Sequence, residues 1–222
     1  MKILIVGSAE NYAEAELALA KHELHHVTDL SEIEKDLFFK IEVVFDFLSQ
    51  ESPESLSFYE QNPEIIVFLN TVLTSFHDIN IFMEPIQNKL FGFNGLPTFF
   101  NRPILECTLS NEKDKGELNK VIADLDWDVE IVKDRVAMAT PRIICMIINE
   151  AYYTVQEGTA SREDIDQGMK LGTNYPYGPF EWSEKIGIIN VFEVLNTIYE
   201  DTKEERYKIC PLLKQEYLQA LA

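Results

Sequence analysis

The first stretch with the makings of chemistry is Gly7-Ser8-Ala9-Glu10-Asn11-Tyr12, directly after the apolar run Lys2-Ile3-Leu4-Ile5-Val6. A glycine at such a point lets the backbone approach a pyrophosphate, which a helix N-terminus then favours electrostatically. The full pattern for a dinucleotide is G-x-G-x-x-G. Here Gly7 is the one glycine left; Ala9 takes the second place and Tyr12 the third. Tyr12 obstructs close packing of helix on strand, and Glu10 sets a carboxylate where phosphates would lie, which is repulsive. Asp29 stands about 20 residues further on, where a ribose-binding acid is expected. An ordinary strand-end aspartate is its other reading. Together these residues predict poor dinucleotide binding.

Other reactive types are more scattered. His22, His25 and His26 are close in sequence, but one helix-to-strand junction seldom aims three imidazoles at a point, so no metal is expected. His77 is alone and reads as packed or solvated. Cys107, Cys145 and Cys210 are odd in number and lack metal spacing; they read as buried thiols in a reducing compartment. Tyr152, Tyr153, Tyr175, Tyr177, Phe180 and Trp182 either line a ligand cleft or, as expected here, pack in a core or interface.

Composition narrows the classes further. A chain of 222 residues with 46% hydrophobic content is globular rather than disordered, in one or two domains. Its formal net charge is −19 with no basic stripe, which excludes nucleic acid as an expected partner and reads as solubility. No apolar run reaches the roughly 18 residues of a membrane span, and the N-terminal run is too short for a signal peptide. A cytoplasmic location is the expectation.

The elements follow from hydrophobic periodicity. Short apolar runs predict strands at residues 2–7, 26–29, 41–47, 65–69, 92–100, 104–108 and 127–132, with helices at 12–21 and 112–125 between them. Alternation of this kind predicts a parallel sheet with helices on its faces. From Thr140-Pro141 the pattern changes. A threonine cap and a first-turn proline open a helix over 141–157 that is apolar nearly all the way round. Gly158 ends it, Ser161-Arg162-Glu163-Asp164 opens the next with a capping-box pattern, and Gly172 stops that one. Pro179 and Ile188 start two more, and Pro211 to Leu221 makes a last short helix. The expected organisation is α/β followed by all-α. A degenerate Rossmann-like dinucleotide-binding domain covers 1–134 and a helical domain covers 135–222.

The run EAYYTVQEGTASREDIDQGMKLGTNYPYGPFEW resembles the C-terminal helical domain of the 3-hydroxyacyl-CoA dehydrogenase family. The resemblance covers 136–215, and with Arg206-Tyr207 and Pro211-Leu212-Leu213 it is most similar to the second C-terminal domain of long members. It implies NAD as cofactor and an acyl-CoA as substrate, while the 141–157 helix, with no polar face to give to water, predicts a homodimer through the C-terminal helices. The N-terminal half resembles the family more weakly. Asn70-Thr71 looks like the family's asparagine-threonine-serine-serine motif, so Asn70 joins Gly7 and Asp29 as cofactor-binding candidates. In Gly95-Leu96-Pro97-Thr98-Phe99-Phe100-Asn101, Thr98 stands where the family's catalytic histidine belongs. Glu106 looks like the glutamate that orients that histidine. Pro141 replaces the family's asparagine at the start of the first C-terminal helix. Oxidising a 3-hydroxyl needs a base for its proton, which histidine supplies near neutral pH and threonine does not. The segment between the second and third strands also lacks the long helical hairpin that helps hold coenzyme A. The expectation is a 3-hydroxyacyl-CoA dehydrogenase-like protein with activity reduced or lost; the alternative is a non-catalytic dimeric binding or assembly protein.

Overall fold

The computed structural model describes residues 1–49, 56–82 and 84–222. The chain divides into two compact units, Met1–Met138 and Ala139–Ala222. Asp134, the boundary expected from sequence, lies inside the first unit, where its two carboxylate oxygens accept the backbone N–H groups of Phe76 and His77 at 3.0 and 3.1 Å.

The first unit is built on a seven-stranded sheet: β1 Lys2–Val6, β2 Glu23–Val27, β3 Val43–Asp46, β4 Ile66–Asn70, β5 Lys89–Phe93, β6 Ile104–Leu109 and β7 Asp128–Ile131. The spatial order is β2-β1-β3-β4-β5-β6-β7. Successive side chains of each strand point to opposite faces of the sheet. Ile3, Ile5, Val43, Phe45, Phe68 and Phe91 fill one core, and Leu4, Val6, Val44, Val67 and Leu69 fill the other. Both faces are apolar because helices cover both, as the period of two requires. The helices are α1 Ala9–Ala18, α2 Lys35–Phe38, α3 Leu56–Tyr59, α4 Phe76–Phe82 and α5 Lys115–Asp124.

Three expectations for this unit need correction. The sheet is not wholly parallel: β5 and β6 pair antiparallel, Phe93 opposite Cys107. No crossover helix separates them, so the chain can only turn back. The strand expected over 92–100 ends at Phe93. Gly95, Pro97 and Pro103 cannot sustain a ladder, and the intervening chain folds into a turn in which Leu96 N–H bonds the Asn94 side chain at 3.2 Å. Likewise α1 begins at Ala9 rather than Tyr12, because Ser8 caps it.

The second unit is helical: α6 Thr140–Gln156, α7 Arg162–Thr173, α8 Pro179–Ile186, α9 Ile188–Thr202 and α10 Pro211–Ala220. Thr140 is not the cap expected of it. Ala137 and Met138 take positive φ of 61° and 42°, so the chain turns before Ala139 and Thr140 already lies in the helix. Nor does Gly172 stop α7. Asn174 takes the left-handed position at φ 57° and ends it, as asparagine can. Gly158, at φ 72°, holds the position expected of it after α6. Ile144, Cys145, Ile148, Ala151 and Tyr152 of α6 are buried within the unit. A stripe three to four residues apart stays outside this core: Ile143 is 57% exposed, Ile147 is half-buried and Glu150 is exposed.

Candidate functional site

In the first unit the polar residues gather where β1 to β5 end, at the edge where open α/β sheets bind ligands. The strand order reverses between β1 and β3, and Gly7 opens the turn there. Its N–H bonds Val27 O at 3.1 Å. Its carbonyl faces His26 Nε2 at 2.9 Å. Ser8 caps α1 reciprocally with Asn11: Ser8 N–H donates to Asn11 Oδ1 at 2.9 Å, and Asn11 N–H to Ser8 Oγ at 3.3 Å. The Asn11 side chain also lies over Gly7, only 2.8 Å from where a β-carbon would sit. The surface a pyrophosphate needs is therefore covered, and two of the amides it would use are taken. Tyr12 is accommodated by stacking on His26, with centroids 4.8 Å apart and planes 19° apart. Glu10 is exposed in the first turn, and the hydrogen bond from Ser8 holds its carboxyl below the usual range. Asp29 lies two residues beyond β2. It caps its own turn, accepting Ser31 N–H at 2.7 Å, and its bonds with Ser31 hold its pKa down.

Asn70 ends β4 and is buried. Its Oδ1 accepts Gly95 N–H at 3.2 Å and Val72 N–H at 3.4 Å, and its amide donates to Phe47 O at 3.4 Å. Glu106 on β6 is 8% exposed and pairs with Asn94: backbone Asn94 N–H to Glu106 O at 3.1 Å, and the Asn94 amide to Glu106 Oε2 at 3.4 Å. Asn70 and Glu106 thus meet the same Asn94-Gly95 turn. Gly7 and Asp29 belong to the β1–β2 side of the sheet, with β3 between. Thr98 sits in a left-handed conformation, φ 75°, and its N–H goes to Glu14 at 3.2 Å. Pro141 lies in the other unit, in the first turn of α6. The three histidines have three different partners: His22 the N-terminal amine, His25 Glu23, and His26 the Gly7 carbonyl. Among the described residues no group of histidine, cysteine, aspartate or glutamate is arranged to hold a metal.

Sequence reasoning missed Asn11, Glu14, Asn94 and Asp46. Asp46 ends β3, 1% exposed, and burial pushes its carboxyl up to about 6. Tyr59 O–H donates to it at 2.8 Å and Leu48 N–H at 2.9 Å. Its place at the end of an apolar strand was the available signal.

In the helical unit, Asp166 of α7 accepts the N–H groups of Phe180 and Glu181 at 2.8 and 3.1 Å, capping α8 from outside. A β-carbon at Gly178 would come 2.3 Å from the Asp166 carboxyl carbon, so Gly178 is what lets the two helices close. The aromatics pack on one another: Tyr175 and Tyr177 lie 5.7 and 6.0 Å from Trp182, and Tyr152 lies 5.0 Å from Phe180. Tyr152 and Phe180 also line an open cleft of about 470 Å³ with Arg162, Ser183, Ile188 and Glu216. Arg162 lies over both rings and pairs with Glu216. Burial and the bond to Glu216 push the Tyr152 hydroxyl up to about 12. The three cysteines are free and buried, and among the described residues no helix is long and apolar enough to cross a membrane.

The Asp166–Gly178 pairing is the physical content of the SREDID…YPYGPF pattern. Residues 138–220 match the family described as 3-hydroxyacyl-CoA dehydrogenase, C-terminal domain. The helical unit is similar to that domain along nearly its whole length. It is 42% identical over 87 residues to a 3-hydroxyadipyl-CoA dehydrogenase of Escherichia coli, covering 39% of this chain and 18% of that protein. It is 37% identical over 92 residues to a 3-hydroxybutyryl-CoA dehydrogenase of Bradyrhizobium diazoefficiens, covering 41% and 31%. The chain thus spans less than a third of either relative. The whole chain has the fold of a solved (S)-3-hydroxybutyryl-CoA dehydrogenase from Ralstonia eutropha, with a TM-score of 0.73 over 99% of this chain and 94% of that one, at 18% identity. The fold of that structure therefore extends across both units, while sequence likeness concentrates in the second.

Proposed function

We propose that the chain is a 3-hydroxyacyl-CoA dehydrogenase-like protein whose family reaction, NAD-dependent oxidation of a 3-hydroxyacyl-CoA to a 3-oxoacyl-CoA, is reduced or lost. The observation that carries this is the Ser8–Asn11 capping pair, which covers Gly7 and occupies the amides facing the β1 turn. NAD would bring the hydride acceptor, but the residues at this turn do not fit its pyrophosphate. Charge works the same way. The first unit holds 11 basic and 25 acidic residues, net −14, against −5 for the second, from 8 and 13. A polyanionic acyl-CoA meets repulsion there. Thr98 supplies no proton acceptor, and loss of a general base alone lowers a rate by about 10²–10⁴-fold. Purified protein given acetoacetyl-CoA and NADH is expected to show no absorbance change above background, and calorimetry no binding of NAD. A micromolar Kd for NAD together with turnover would overturn the reading.

The alternative, a non-catalytic dimeric binding or assembly protein on the same fold, draws on the surface of the helical unit. Ile143 is 57% and Leu171 79% exposed, and exposed apolar side chains of this size are ones that a self-complementary contact would cover. Light scattering is expected to give a homodimer, and Ile143→Lys a monomer with an unchanged circular dichroism spectrum. A monomeric wild type at micromolar concentration would remove this reading.

A further inference from the structure

The turn from Thr98 to Asn101 is built to hold an anion. The backbone N–H groups of Thr98, Phe100 and Asn101 converge on one carboxylate, that of Glu14, at 3.2, 3.1 and 3.0 Å. Successive amides turned to one point form an anion-binding concavity, or nest. Thr98 is held at φ 75° to make it, a conformation a β-branched residue adopts only under constraint. Arg102 adds a cation to the same turn: its Nε donates to Thr98 O at 2.7 Å, and its guanidinium lies 4.4 Å from the Phe99 ring centroid. The occupant comes from α1, more than eighty residues away in sequence.

We propose that the Thr98–Asn101 turn is a binding site for a small carboxylate, which the chain keeps filled with its own Glu14. The occupant defines the ligand class. What Glu14 inserts beyond its β-carbon is a methylene and a carboxylate, the size of acetate. A free carboxylate competes with a group tethered beside the site at high effective concentration, so the intact protein admits none. The site opens when Glu14 is withdrawn. This inference does not rest on the dehydrogenase reading, because it concerns neither dinucleotide nor acyl-CoA.

The test is removal of the occupant followed by its return in free form. Glu14→Ala vacates the turn without harming α1, since alanine is the strongest helix former. Its Tm is expected several degrees below wild type. Acetate or formate is expected to restore more than half of the loss, whereas chloride at equal ionic strength does not. Phosphate, too bulky for the vacated space, follows chloride. Wild type responds to none of them beyond the chloride control. Amide hydrogen exchange at Thr98, Phe100 and Asn101 quickens in the variant and slows again with acetate. Glu14→Gln, which keeps one acceptor oxygen, is the milder second variant and is expected to quicken exchange at the same three amides. The proposal is overturned if acetate does no more than chloride for Glu14→Ala, or if exchange at these amides matches wild type in Glu14→Gln. Equal rescue by phosphate would overturn the carboxylate class.

Discussion

Asp166→Ala is expected to lower the stability of the helical unit by about 3 kcal/mol, taking each hydrogen bond to a charged acceptor at about 1.5 kcal/mol. Two such bonds are lost, from Phe180 and Glu181 N–H, and both amides belong to the first turn of α8, where donors lack intrahelical partners. Phe180 and Trp182, which α8 buries, lose their fixed position with it. Gly178→Ala in the wild-type background is expected to cost about 2 kcal/mol, as overpacking does, since the new β-carbon would meet the Asp166 carboxyl at 2.3 Å. The two changes should not add. Shortening Asp166 to alanine removes the carboxyl clash but leaves its β-carbon 2.4 Å from the same point, so the double variant is expected to recover only part of the Gly178→Ala cost. Urea unfolding followed through Trp182, in a Trp127→Phe background, reads the helical unit separately. Strict additivity would show that Asp166 and Gly178 are not coupled as described.

This pairing also shows what a sequence can carry. The capping of α7 by Ser161 and the first-turn proline of α8 are local devices, and they could be read because cap and capped residue lie within one turn. The strands were legible for a similar reason: buried parallel strands must be continuous apolar runs, and β1, β3 and β4 are such runs. Direction was not legible. Ile104 to Leu109 has the same composition as a parallel strand, and only the lack of a crossover between β5 and β6 turns it round. Ends were legible only where a residue had no substitute. Gly158 ends α6, but Asn174 could do for α7 what glycine at 172 was expected to do.

The candidate site was legible as a set of substitutions and illegible as a set of contacts. That Tyr12 stands where a glycine is needed follows from spacing, and that Thr98 stands where a histidine belongs is what the family resemblance implies. How the chain fills the space does not. Tyr12 is tolerated because His26, on the neighbouring strand, offers it a ring face. Glu14 reaches a turn 84 residues away. Asp134 and Asp166 do similar work at α4 and α8. An acidic chain of this kind has carboxylates at the places where backbone N–H groups would otherwise need water or a ligand. The net charge of −19 looked like solubility, and part of it is structural.

Asp46→Asn is expected to stabilise the first unit at neutral pH by up to about 3 kcal/mol, from two pKa units at 1.36 kcal/mol each. Burial raises the Asp46 carboxyl from 3.8 to about 6, against the lowering effect of its bonds from Tyr59 and Leu48. The native chain therefore keeps this proton up to about 6, while the unfolded chain releases it near 3.8. In that interval the native state binds more protons, so stability falls as pH rises. The contribution is complete below the lower value and lost above the upper one. Asparagine imitates the protonated acid: its oxygen accepts Leu48 N–H, and its amide donates to the Tyr59 oxygen as that hydroxyl turns. The variant is expected to match wild type near pH 4 and to gain on it as pH rises through about 6. Tyr59→Phe should do the opposite at neutral pH, costing about 1–3 kcal/mol by leaving a buried carboxylate oxygen without its donor. Urea titrations of the three proteins across this range decide it. A constant difference between Asp46→Asn and wild type at every pH would mean that Asp46 is already ionised without penalty, and that the hydrogen bonds from Tyr59 and Leu48 fully offset its burial.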